Sequence, residues 1–167
     1  LTTLPVSPDG TVDLSALEPA IADGPATVSM MWVNNETGII LPVGEATQKA
    51  HARGALMHTD ACQALGKVRV HVGDVPVDLL TATAHKINGP KGMGLLFIRE
   101  GTSLHPLIYG GSQERALRPG TEDIAGAVGL AKAVRLAVEE QAEKALRLEG
   151  IRDDLEEGLR GTIPGLR

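Results

Sequence analysis

The sequence predicts an α/β fold, a three-layer α/β/α arrangement about a mainly parallel sheet. Three observations carry that expectation. Short apolar runs rich in β-branched and small residues recur at Thr27–Val33, Ala55–Asp60 and Asp78–Lys86, the composition of strands buried in a parallel sheet. A helix-spaced segment with short loops joins the first two, as a right-handed parallel unit requires. Each run also ends on polar side chains, and in open α/β sheets ligands sit just beyond the carboxyl ends of the strands.

In chain order, the turn signals Ser7-Pro8-Asp9-Gly10 and Ala22-Asp23-Gly24-Pro25 bracket a short helix. Asp13 is placed to cap it, with Leu14, Leu17, Ala20 and Ile21 at helical spacing. The strand Thr27–Val33 stops at the polar turn Asn34-Asn35-Glu36-Thr37-Gly38. After Pro42, the residues Val43, Ala46, Ala50 and His51 mark a helix to Arg53, which Gly54 terminates. A short helical turn over Ala61–Leu65 follows the strand that ends at Asp60. The run from Asp78 closes on His85 and Lys86, and a glycine-rich turn then leads to a strand over Gly94–Arg99. Tyr109–Asp123 is polar, glycine-rich and aperiodic, the character of a functional loop. Finally Val128, Ala131, Val134 and Val138 predict a long helix from Ile124 to about Leu148, with Leu155 and Leu159 continuing it beyond Gly150 and Ile151.

Composition narrows the function. Hydrophobic residues at 43% and charged residues at 22% are ordinary for a globular chain. Aromatics stand at 2%, Trp32, Phe97 and Tyr109 alone, which leaves no platform for stacking bases. Sixteen Lys and Arg against 21 Asp and Glu give a net charge of -5 with no basic run, so nucleic acid is a poor partner. The longest apolar segments are strand-sized and no cleavable signal is visible; neither a membrane span nor export is expected, and a cytoplasmic home is the default. Cys62, the single cysteine, excludes an intramolecular disulfide, and His51, His58, His71 and His105 lack metal-ligand spacing, so no metal is expected. The chain opens on Leu1 rather than Met and is expected to be a piece of a longer protein.

A strand-end lysine taken alone is most often a surface lysine. The company of Lys86 changes that. Successive strands end on Asn34 and Asn35, on Asp60 with Gln63 one turn on, and on Thr83, His85 and Lys86. As neighbours in one sheet, these groups converge on one edge. A lysine partly desolvated there suits an amine that must form a Schiff base. A carboxylate to keep a ring nitrogen protonated, an amine to hold an aldehyde and amides to bind a phenolic oxygen are the division of labour for pyridoxal phosphate.

Four segments carry a resemblance: Asn34-Asn35-Glu36-Thr37-Gly38; His58-Thr59-Asp60-Ala61-Cys62-Gln63-Ala64-Leu65-Gly66-Lys67; Ala84-His85-Lys86 with Gly89-Pro90-Lys91-Gly92-Met93-Gly94; and Gly110-Gly111-Ser112-Gln113-Glu114 leading to Arg118-Pro119-Gly120-Thr121-Glu122. In order and spacing, from about Val28 to Ala137, the chain resembles the cysteine desulfurases of the nitrogen-fixation and iron–sulfur-cluster type. Those belong to the class V aminotransferase group of fold-type I pyridoxal phosphate enzymes.

The resemblance implies that Lys86 is the Schiff-base lysine and Asp60 the partner of the pyridine nitrogen. It implies Asn35 and Gln63 as ligands of the phenolic oxygen and Thr83 and His85 as ligands of the phosphate. Thr121 would reach the phosphate of the neighbouring subunit in a homodimer. Cys62 falls where the family has a small side chain against the ring, and reads as a buried hydrophobe rather than a nucleophile. Pro119 and Ala116 stand where the family usually has serine and glycine, which stiffens that loop. Residues 1–148 would be part of the cofactor-binding large domain and 149–167 the start of the small one. The implied activity is conversion of L-cysteine to L-alanine, with persulfide sulfur passed to an acceptor or scaffold protein for iron–sulfur cluster or thiocofactor assembly. Because the family's persulfide cysteine lies beyond the region corresponding to Arg167, the isolated piece is expected to be inactive. The alternatives are another class V enzyme, such as a selenocysteine lyase, epimerase or transaminase, and a non-catalytic dimerisation or scaffold fragment.

Overall fold

Asp13 caps the first helical segment, its side chain accepting the Ser15 N–H at 2.8 Å. A 3-10 turn, Leu14–Ala16, runs into α1, Leu17–Ala20, and Leu14, Leu17 and Ile21 are buried, as their spacing predicts. The computed structural model describes residues 1–21, 23–24 and 26–165; Ala22 and Pro25 of the second predicted turn lie outside them. β1 (Thr27–Met31), α2 (Val43–Ala52) and β2 (Leu56–Asp60) form the expected parallel unit. Gly54, at φ +69°, ends α2: its N–H donates to the His51 carbonyl and that of Ala55 to the Ala50 carbonyl, both at 2.9 Å, the paired bonds of a glycine-terminated helix.

β3 (Leu79–Thr83) lies parallel to β2, and β4 (Gly94–Ile98) pairs antiparallel with β3, in the order β1-β2-β3-β4. The sheet is mainly parallel, as predicted. β4 reverses because residues 84–93 are fewer than the dozen or so that a parallel crossover takes. The predicted strand Asp78–Lys86 is shorter than expected, and Ala84–Ile87 form a 3-10 turn instead. The hairpin is the cause. The Ala84 N–H donates to the Met93 carbonyl at 3.0 Å, and Asn88, left-handed at φ +61°, lets the Gly89 N–H return to the Ala84 carbonyl at 2.8 Å.

The long helix also differs from its prediction. α3 (Ile124–Glu139) and α4 (Gln141–Thr162) meet at Glu140, and Gly150 sits inside α4. No helix among the described residues is long and apolar enough to cross a membrane.

Helix α2 covers one face of the sheet, with Val43, Ala46 and Ala50 in one core with Met57, Leu80 and Ala82. The other face carries a polar clasp. His58 Nδ1 lies 2.8 Å from Ser29 Oγ and Nε2 3.3 Å from Thr81 Oγ1, joining three strands. A second, smaller core packs Leu130, Ala133 and Ala137 of α3 on Ala84 and Ile87, so α3 buttresses the turn that carries Lys86. Gly66 permits this approach: at φ +74°, a Cβ there would lie 2.6 Å from the Ala137 Cβ.

Candidate active site

Asp60 ends β2, in register with Met31 of β1 and Thr81 of β3. Lys86 follows the end of the adjoining strand β3. Ala84 and Ile87 anchor its turn at 0% and 8% exposure, while His85 and Lys86 between them are exposed. Beyond Asp60 the backbone tightens at once. The Cys62 N–H donates to Asp60 Oδ1 at 2.8 Å, Leu65 N–H to the Ala61 carbonyl at 2.9 Å and Lys67 N–H to the Ala64 carbonyl at 3.0 Å. Within that turn the ammonium of Lys67 donates to Gln63 Oε1.

Electrostatics tie these groups together. Burial pushes the Cys62 thiol up to about 11, helped by the hydrogen bond and negative charge of Asp60, while Lys86 pulls the other way. Burial lowers the Lys67 ammonium, and the positive charge of Lys86 lowers it further. One carboxylate, one thiol and two amines therefore share a neighbourhood at the β2–β3 edge. For Cys62 the consequence is measurable. At pH 8 the thiolate is on the order of one molecule in a thousand, since each pH unit is a factor of ten. Alkylation of native Cys62 by iodoacetamide is therefore expected to be slow at pH 8 and to rise with pH up to about 11; a free-thiol rate at pH 8 would contradict this.

Thr83 Oγ1 donates to the Met93 carbonyl at 3.2 Å and lies 2.9 Å from His85 Nδ1. Asn35 is exposed in the turn that follows β1, and it is Asn34 that builds the turn, its Oδ1 accepting the N–H groups of Glu36 and Thr37 at 2.9 Å each. Thr121 is exposed in the loop before α3. The structure thus gathers Asp60, Gln63 and Lys86 with the Thr83–His85 pair adjoining, places Asn35 beyond the neighbouring strand, and links Thr121 to none of them by a hydrogen bond among the described residues. Lys67 is the residue that sequence reasoning passed over, although its position four after Gln63 was a signal. A cavity of about 400 Å³ opens between Lys67, Lys86 and Asn88 on one side and Ala137, Glu140 and Lys144 on the other. Among the described residues no three His, Cys, Asp or Glu side chains gather to hold a metal ion.

A model of the aminotransferase class-V family matches residues 1–161. The chain belongs to that family. This class-V chain is 49% identical over 150 residues to a cysteine desulfurase of Bradyrhizobium diazoefficiens, covering 90% of the chain and 38% of that protein. It is 46% identical over 164 residues to a cysteine desulfurase of Cereibacter sphaeroides, covering 98% of the chain and 42% of that protein. A solved NifS-like protein superposes with a TM-score of 0.91 at 41% identity, over 96% of the chain and 44% of that structure. The fold is accordingly that of the NifS-like proteins, and the chain spans about two fifths of the length of the curated relatives it matches.

Proposed function

We propose that the full-length protein is a pyridoxal phosphate-dependent cysteine desulfurase. One observation carries the reading: a carboxylate, Asp60, ends β2, and an amine, Lys86, sits in the turn that follows the carboxyl end of the adjoining parallel strand β3, with the charges of both acting on the Cys62 thiol. Relatives named cysteine desulfurase over most of the chain support it. Class V aminotransferases in general use pyridoxal phosphate, and the donor set fits that group. Asp60 would hold the pyridine nitrogen, Lys86 the aldehyde carbon, Asn35 and Gln63 the phenolic oxygen, and Thr83 and His85 the phosphate, which Thr121 of the neighbouring subunit would also reach.

When bound, the cofactor withdraws electrons from the α-carbon of an amino acid substrate. Asp60 keeps the proton on the ring nitrogen that makes this possible, and the Lys86 amine moves the α-proton. Sulfur leaves L-cysteine for a thiolate, forming a persulfide, and the remaining carbon skeleton departs as L-alanine. Cys62, held neutral, is unsuited to that thiolate role, so the nucleophile belongs to another part of the full-length protein. The same reading includes a cytoplasmic homodimer, a sulfur acceptor or scaffold protein as partner, and a large domain that gives way to a small one after residue 148. Exposed Leu107, Ile108 and Tyr109, with Ile124 and Val128 of α3, support the dimer as apolar surface to be covered.

The test is spectroscopic and chemical. The full-length protein is expected to show the yellow absorption of bound cofactor, and borohydride is expected to bleach it and leave the label on Lys86. A protein that stays colourless and unlabelled with saturating cofactor would refute the reading.

A further inference from the structure

We propose that Lys67 is a positioning residue for Gln63, fixing its amide so that the nitrogen rather than the oxygen is offered to the site; this rests on the cofactor reading above. A glutamine amide has two ends of similar shape, one accepting hydrogen bonds and one donating them. Holding an anionic phenolic oxygen demands the donating end. The Lys67 ammonium occupies Gln63 Oε1. Rotating the amide by half a turn would set NH₂ against NH₃⁺, two donors with no acceptor between them, so the rotation is disfavoured. One end is thereby selected.

Local structure makes the contact. Gly66, left-handed at φ +74°, reverses the chain between the two residues and brings the lysine back over the turn. A hydrated surface ammonium would gain nothing from this place. Lys67 is an exposed residue, yet burial and the positive charge of Lys86 lower its ammonium, and it lines the same cavity as Lys86. The amide oxygen of Gln63 offsets those penalties in part.

A double-mutant cycle in the full-length protein separates positioning from simple charge, using Lys67→Met, Lys67→Arg, Gln63→Ala and the Lys67→Met/Gln63→Ala pair. With pyridoxal phosphate as the probe, Lys67→Met is expected to weaken binding about tenfold, the weight of one hydrogen bond involving a charged group. The pH midpoint of the visible band is expected to move upward, because the phenolate loses its fixed donor. Lys67→Arg, which still donates to Oε1, should keep most of the affinity. In the Gln63→Ala background Lys67→Met should change neither quantity. Equal losses in both backgrounds would overturn the proposal by showing that Lys67 acts as an independent charge. A cofactor-free readout stands beside these: the side-chain amide resonances of Gln63 are expected to shift in the Lys67→Met protein, and unmoved resonances would also overturn it. Failure of the functional reading looks different, since the parent protein would then show no visible band at all.

Discussion

Replacing Asp60 by alanine is expected to lower kcat/KM for L-cysteine in the full-length protein by on the order of 10³-fold, roughly 4 kcal/mol, the loss of the carboxylate that would face the ring nitrogen of the proposed cofactor. Among Asp60, Gln63, Thr83, His85 and Lys86 the carboxylate is the one acid, and its charge and that of Lys86 act in opposite senses on the Cys62 thiol. Alanine removes the group that would hold a proton on the ring nitrogen. Asp60→Asn keeps the shape and one acceptor but cannot stabilise that proton, so nearly the same loss is expected. A second readout needs no cofactor. Asp60 raises the Cys62 thiol through a hydrogen bond and through its charge, while Lys86 opposes it; with Asp60 gone, the thiol titrates lower and iodoacetamide reacts faster at pH 8. Burial, the largest cause, persists and keeps the thiol above its ordinary range. An Asp60→Ala protein with undiminished turnover and the parent's alkylation rate would remove the basis for placing the ring nitrogen here.

The second large effect is on stability and lies at the other end of the sheet. Asp78, 9% exposed, stands just before β3. Its Oδ2 accepts the buried Met57 N–H at 2.7 Å and lies 2.8 Å from His51 Nε2 in the last turn of α2. Alanine would leave the Met57 N–H without that acceptor in the core and cut the link from α2 to the central strands. The expected cost is roughly 3 kcal/mol, seen as a thermal midpoint lowered by about 10 °C in a domain of this size. His51→Ala should cost less, about 1 kcal/mol, because the imidazole is more than one-third exposed. Cofactor affinity should stay unchanged in both, since neither residue lies at the carboxyl ends of the strands. A midpoint within 1 °C of the parent's for Asp78→Ala would show that water replaces the carboxylate without loss.

What the sequence disclosed was governed by how local each cause is. The runs at Thr27, Ala55 and Asp78 announce buried strands because such strands have no polar face, and the cap at Asp13 and the stop at Gly54 are set by nearest neighbours. The places of Asp60 and Lys86 at the ends of β2 and β3 were legible for the same reason, each standing where an apolar run meets polar residues. The turn at Ala84–Ile87 was not, because Ala84 belongs equally to a strand and to a buried turn, and the deciding hydrogen bond comes from Met93 across the hairpin. Nor was the break at Glu140: helix formers continue through it on both sides, whereas Gly150, the apparent stop, is carried along inside α4. Lys67 shows a third kind of opacity. Its bond to Gln63 depends on the left-handed Gly66, which one reads as a loop glycine until the backbone is known.

The connection from β2 to β3 occupies only residues 61–78, and it brings Asp60, Gln63, Lys67, Thr83, His85 and Lys86 into one short span of the chain. Closing a loop costs entropy that grows only with the logarithm of its length, and here the length is small. As a ribosome releases this polypeptide, the carboxylate and the amine can meet as soon as the β3–β4 hairpin clears the exit tunnel, with no need to wait for the helices that later brace them.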